Sequence, residues 1–316
     1  MFDMQLDMLP SEQPEVPTPV YMGIDDTYIS TLEAMHQCDL LVVHSYNIDT
    51  YLSTIYGKED VDTAPQEESL VKRIWEGIKK FVATIIRKLV ELYEWFEKLM
   101  MNFRKELDSL SATVQTLGDV SVDRDTLSKL DNVHRPSLGA LQAIRNILMR
   151  YSNEELKGLV NIEFTTYYSA SIGSNYDQNA IIQSYGEVTT ELNEAMSSDR
   201  TAYGTSSDAS DIAASTIKLM LENGSSIVDS TKNFENINKE VIKNLKRVLQ
   251  MNPTTTIFSS DEAKKRQATT TAMCRTIVKY FNTYTSASSK FVFTIIMITK
   301  TFIKAVNMKN KNTVTE

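Results

Sequence analysis

The chain has 316 residues, 42% hydrophobic and 23% charged, with only 10 Gly and 7 Pro, the composition of a soluble globular or rod-like protein in which scarce breakers favour helices. Two cysteines, Cys38 and Cys274, exclude a dense disulfide framework, and their spacing makes no metal knuckle. The net charge of −8 hides strong segregation: residues 1–70 carry 14 acids against Lys58 alone, whereas residues 261–316 carry 10 basic groups against 3 acids.

The N-terminus, MFDMQLDMLPSEQPEVPTP, has neither the basic start nor the apolar stretch of an export signal. Four prolines (Pro10, Pro14, Pro17, Pro19) among acids predict a disordered acidic arm over 1–24. An acidic helical segment and linker are expected over 25–68, with Asp25 and Asp26 as caps and Pro65 in the linker.

Residues 69–118 read as one long amphipathic helix. Ile74, Ile78, Val82, Ile85, Leu89, Tyr93, Phe96, Met100, Phe103, Leu107, Leu110, Val114 and Leu117 recur every three or four residues, which keeps one face apolar throughout. Trp75, Phe81, Ile86, Val90, Leu92 and Leu99 widen that stripe beyond a two-stranded seam, so it needs more than one neighbour.

Residues 119–258 read as a smaller α+β middle domain. Helices are expected from Leu138 to Tyr151, around Ile181 to Ala195, from Ile212 to Leu221, and from Ser226 to Gln250, where Asn252 and Pro253 stop the run. The β-branched and aromatic stretch from Gly158 to Ser174 suggests a strand, partnered by Thr254–Phe258 or by nothing in the chain. Residues 259–316 form a second long, basic helix with a disordered tail, opened by a capping-box spacing at Ser259 and Glu262. Its stripe is Met273, Ile277, Tyr280, Tyr284, Ala287, Phe291 and Ile298, with Phe281, Ile295 and Phe302 alongside. The apolar run Phe291–Thr299 is closed by Lys290 and Lys300 and is too short for the roughly 20 residues of a stable membrane span. The expected fold is therefore mainly α: two long amphipathic helices packed together, with the mixed middle domain between them.

Chemistry-bearing motifs are scarce. The glycine-rich phosphate loops, the nucleophile elbow and the His-Glu-x-x-His zinc motif are all missing, and only His36, His44 and His134 supply imidazole. His36, Cys38 and His44 can be drawn as zinc ligands, but Cys38 leaves the helical side that 36 and 44 share and no fourth ligand follows. They read as surface histidines and a partly buried thiol. Neither a catalytic residue nor a cofactor is expected, and the chain is not read as an enzyme. Lys72, Arg73, Lys79, Lys80, Arg87 and Lys88 are diluted by Glu76, Glu91, Glu94 and Glu97 into a solvated face. The last helix, with Lys264, Lys265, Arg266, Arg275, Lys279, Lys290, Lys300, Lys304, Lys309 and Lys311, is the better surface for nucleic acid or an acidic partner.

The acidic N-terminal region, the helix VKRIWEGIKKFVATIIRKLVELYEWFEKL, the smaller middle domain and the closing helix KYFNTYTSASSKFVFTIIMITKTFIKAVNMK together resemble internal head proteins of large tailed bacteriophages. The resemblance is one of architecture and covers most of the chain. It implies a virion structural protein, made in the host cytoplasm and housed inside the head, that assists assembly or lies beside DNA. Its implied partners are other virion proteins, packaged DNA through the basic C-terminal helix, and a second copy of the chain. It also implies cleavage by a prohead protease after Glu, which Gly57-Lys58-Glu59 fits loosely, as do Ile74-Trp75-Glu76, Ser152-Asn153-Glu154 and Ser260-Asp261-Glu262. Ile85, Leu89, Phe96, Ile277, Phe291 and Ile295 are expected to form the helix-packing interface. The alternative is a membrane-active protein resembling helical pore-forming toxins, in which residues 72–103 and 277–306 shield each other until they meet a bilayer.

Overall fold

The structure is a computed structural model that describes residues 67–123, 126–127, 138–152, 211–250 and 260–314, together with positions 187, 190 and 194. Its elements in chain order are α1 (Glu67–Thr116), β1 (Ser121–Val122), α2 (Leu138–Tyr151), β2 (Ile212–Ala213), α3 (Ala214–Gln250) and α4 (Ser260–Val314). The protein is mainly α, with 93% of the described residues helical.

Helix α1 runs its 50 residues without a break because no Gly or Pro at a strained position interrupts the three-and-four spacing of its apolar face. It ends where Gly118 takes a left-handed φ of 69°, the conformation that closes a helix at little cost only in glycine. The chain then enters β1, which pairs antiparallel with β2, Ser121 opposite Ala213 and Val122 opposite Ile212. One further bond, from Ala214 N–H to the Val120 carbonyl at 2.9 Å, clamps the entry of α3 to the exit of α1. Two residues expected to begin a helix, Ile212 and Ala213, are thus strand-paired instead.

That clamp sets the direction of the bundle. Phe96 of α1 meets Phe234 of α3 and Tyr284 of α4 at one level, and Leu107 meets Gly224 and Ile295 at the next. Residue numbers rise together along α1 and α4 and fall along α3, so α1 and α4 are parallel and α3 runs between them in the opposite sense. The short α2 packs on α3 and α4, and the Arg145 guanidinium donates to Ser226 Oγ at 2.6 Å.

Helix α3 corrects the sequence reading. The break expected between Leu221 and Ser226 does not exist: α3 is one 37-residue helix through Asn223-Gly224-Ser225. It belongs to the same core as α1 and α4, which makes three long helices where two were expected. The reason is packing. A Cβ on Gly224 would stand 3.3 Å from Leu107 Cδ2 and 3.4 Å from Ile295 Cδ1, so the missing side chain is what lets α3 approach both neighbours.

The capping box at Ser259 and Glu262 and the helix around 181–195 lie outside the described side chains and residues, apart from positions 187, 190 and 194. So do the strands expected at 158–174 and 254–258, the acidic arm and the 25–66 segment.

Candidate functional site

The residues expected to form the packing interface sit at the centre of this core. Ile85, Leu89 and Phe96 on α1 and Ile277, Phe291 and Ile295 on α4 are none of them more than 2% exposed. Each such side chain contributes roughly 1.5 to 3 kcal/mol when fully buried. The remaining stripe positions follow suit, except that Tyr93 and Leu117 are half-buried and Val90 is exposed.

The middle of the bundle is an aromatic plate. The rings of Phe234 and Tyr284 stack with centroids 4.3 Å apart and planes at 20°. Phe281 tilts onto Phe234 at 4.9 Å, and Phe96 approaches Phe234 edge-on at 5.6 Å, the offset and edge geometries that ring quadrupoles favour. Burial pushes the Tyr284 phenol above its ordinary range, partly offset by the neighbouring hydroxyls of Ser230, Ser152 and Ser288. The Ser230 Oγ lies 3.4 Å from the Tyr284 hydroxyl and also donates to the Ile227 carbonyl at 2.7 Å. Sequence analysis placed Tyr284 on the apolar stripe of the last helix, but periodicity alone does not show that it meets Phe234.

Helix α4 is buried on nearly every side. Thr285, Ser289 and Thr301 are buried polar residues, and each returns its hydroxyl to a carbonyl one turn back: Thr285 to Phe281 at 2.9 Å, Ser289 to Thr285 at 2.7 Å, Thr301 to Met297 at 3.0 Å. This back-bonding satisfies a hydroxyl within its own helix and allows a polar side chain to face a dry neighbour. Cys274 lies in the same core, completely buried, and burial pushes its thiol up to about 12, where it is inert as a nucleophile.

By length and composition α4 is long and apolar enough to cross a membrane over Ala263–Lys309. The sequence reading measured only Phe291–Thr299, whereas the helix continues through both lysines. In the bundle 56% of its most apolar stretch is buried.

Ion pairs tie the rims. Lys300 reaches Glu106 at 2.9 Å, joining α4 to α1, and Arg104 pairs with Asp229, joining α1 to α3. Lys79–Glu76 and Lys88–Glu91 pair within α1, in keeping with a solvated face. Among the described residues no group of three His, Cys, Asp or Glu converges as a ligand set. Gly57, Lys58 and Glu59 lie outside the described residues, as do His36, Cys38, His44 and His134. No protein-family model matches the chain, and no curated protein or solved structure matches it either.

Proposed function

We propose that this chain is a non-enzymatic structural protein of a phage particle, housed inside the head, where it assists assembly or lies beside the packaged DNA. The observation that carries the structural part is the continuity of the core. Helices of 50, 37 and 55 residues share one core in which Ser230, Thr285, Ser289 and Thr301 return their hydroxyls to their own helices and the Cys274 thiol is suppressed. Such an interior supports a rigid rod. The phage assignment rests on the resemblance of the acidic region, the two long helices and the basic close.

Proteomics and intact-mass measurement on purified particles test it. Many copies per particle support the reading, and an N-terminus after Glu59 adds removal of the acidic region. Occurrence only in producing cells, with none in particles, overturns it.

The membrane-active alternative draws on the length and apolarity of α4. It requires α4 to leave α1 and α3, which exposes Tyr280, Tyr284, Phe291 and Phe302, all buried in the bundle. Dye leakage from liposomes by the folded chain is the result that would favour it.

A further inference from the structure

Between Tyr280 and Phe302 helix α4 meets solvent along a single row. Positions 279, 283, 286, 290, 293, 297, 300 and 304 alternate steps of four and three, and each is exposed or half-buried. Between Tyr280 and Phe302 every residue off that row is buried except the half-buried Thr294. The row reads Lys279, Thr283, Ser286, Lys290, Phe293, Met297, Lys300, Lys304, and no Asp or Glu occurs in the chain between Glu262 and Glu316. Glu106 reaches in from α1 to Lys300; Lys279, Lys290 and Lys304 form no ion pair among the described residues.

We propose that this lysine row is a sequence-independent binding surface for the phosphate backbone of a nucleic-acid duplex. From Lys279 to Lys304 the row spans about 38 Å at the α-helical rise, which is roughly one turn of duplex. Lys290 stands about 17 Å along the helix from Lys279, near half a turn of duplex, and Lys304 about 21 Å further on. Lysine is a point charge without the planar fork that reads base edges, so these contacts position a duplex without selecting its sequence. Threonine and serine hydroxyls in the row add hydrogen-bond donors for phosphate oxygens.

Two other occupants fit less well. An anionic membrane surface calls for an apolar face that enters the lipid, and the large hydrophobics that stand exposed, Val90, Met101, Leu219 and Met308, are dispersed over three helices. A second copy of the same row would set lysine against lysine.

This inference deepens the reading of a DNA-adjacent particle protein and can fail separately from it, because particle content and duplex affinity are different measurements. The test is fluorescence anisotropy of the full chain with labelled 20-base-pair duplexes, one A·T-rich and one G·C-rich, over 50–300 mM salt. The row variant is Lys279→Gln/Lys290→Gln/Lys304→Gln, and the control with the same charge change is Lys98→Gln/Lys218→Gln/Lys232→Gln, each checked for helicity. The wild type is expected to bind both duplexes alike. The row variant should bind at least tenfold more weakly at low salt, with its log–log salt slope reduced by roughly 2 to 3, about 0.9 for each phosphate that is no longer neutralised, while the control stays within twofold. No binding by the wild type, equal losses in both variants, or binding to phosphatidylserine vesicles in place of duplex overturns it.

Discussion

Phe234 of α3 and Tyr284 of α4 stack face to face at 4.3 Å, with the edge of Phe96 from α1 closing against both. One ring from each long helix therefore meets at the midpoint of the bundle. Phe234→Ala should cost about 3–5 kcal/mol, because the deletion leaves a cavity that three long helices cannot easily collapse. Tyr284→Phe keeps the ring and removes a hydroxyl whose contact with Ser230 is long, while Ser230 retains the Ile227 carbonyl. Its cost should stay within about 1 kcal/mol. Urea denaturation of both variants checks the pair; comparable losses would show that the hydroxyl, not the stacking, organises this level.

Gly224 presents the opposite case, a missing side chain that the packing uses. The atoms nearest its would-be Cβ are the methyl ends of Leu107 and Ile295, at 3.3 and 3.4 Å. Alanine gains about 1 kcal/mol of helix propensity over glycine, and two methyl tips can shift by a few tenths of an ångström. Gly224→Ala should therefore lie within about 1 kcal/mol of wild type. Gly224→Val adds two further methyls and should lose about 1–3 kcal/mol. Thermal unfolding of the two variants decides whether close approach, rather than backbone freedom, is why glycine stands here.

The same glycine shows where sequence reasoning stops. The α1 stripe was legible because one period, 3.6, governs the whole of Ile74 to Val114 and each position faces the core. Asn223-Gly224-Ser225 carries a local breaker signal that tertiary packing overrides, so α3 read as two short helices. The extra buried sides of α4 were hidden for a related reason. Thr285, Ser288 and Ser289 look solvent-facing until their neighbours are known, and only burial shows that Lys279, Lys290 and Lys304 stand in one isolated row. The β1–β2 clamp is two residues per strand, too short for any alternation to appear.

High pH should weaken this fold. Burial raises the Cys274 thiol from an ordinary 9.0 to about 12 and raises the Tyr284 phenol above its ordinary 10.0. Tyr93 moves the same way, through burial and the nearby Glu235 and Glu97 carboxylates. In each case the unfolded chain releases its proton first, so above pH 9 the folded state holds more protons than the unfolded state and stability falls as pH rises. Between pH 6 and 8 these groups are neutral in both states and contribute no slope. Urea midpoints should therefore be level up to pH 8 and decline from pH 9 to 11. Cys274→Ala should show a shallower decline than wild type, whatever its cost at neutral pH; an identical decline would remove the thiol from the explanation.

Asn282 on α4 is 6% exposed, and neither its side-chain nitrogen nor its oxygen has a hydrogen-bond partner in the structure. An amide buried in this way forfeits its bonds to water without replacement, a penalty of about 1–3 kcal/mol. Leucine keeps the same branching and number of side-chain heavy atoms without polar atoms, so where its bulkier methyls fit, Asn282→Leu should stabilise the isolated chain by about that amount, seen as a raised denaturation midpoint with unchanged helicity. Thr285 and Ser289 of the same helix behave differently, because they already bond to their own helix; Thr285→Val should bring little gain. A destabilised Asn282→Leu would show that the amide is satisfied in solution, and would point to a neighbour that reaches position 282 from beyond the long helices.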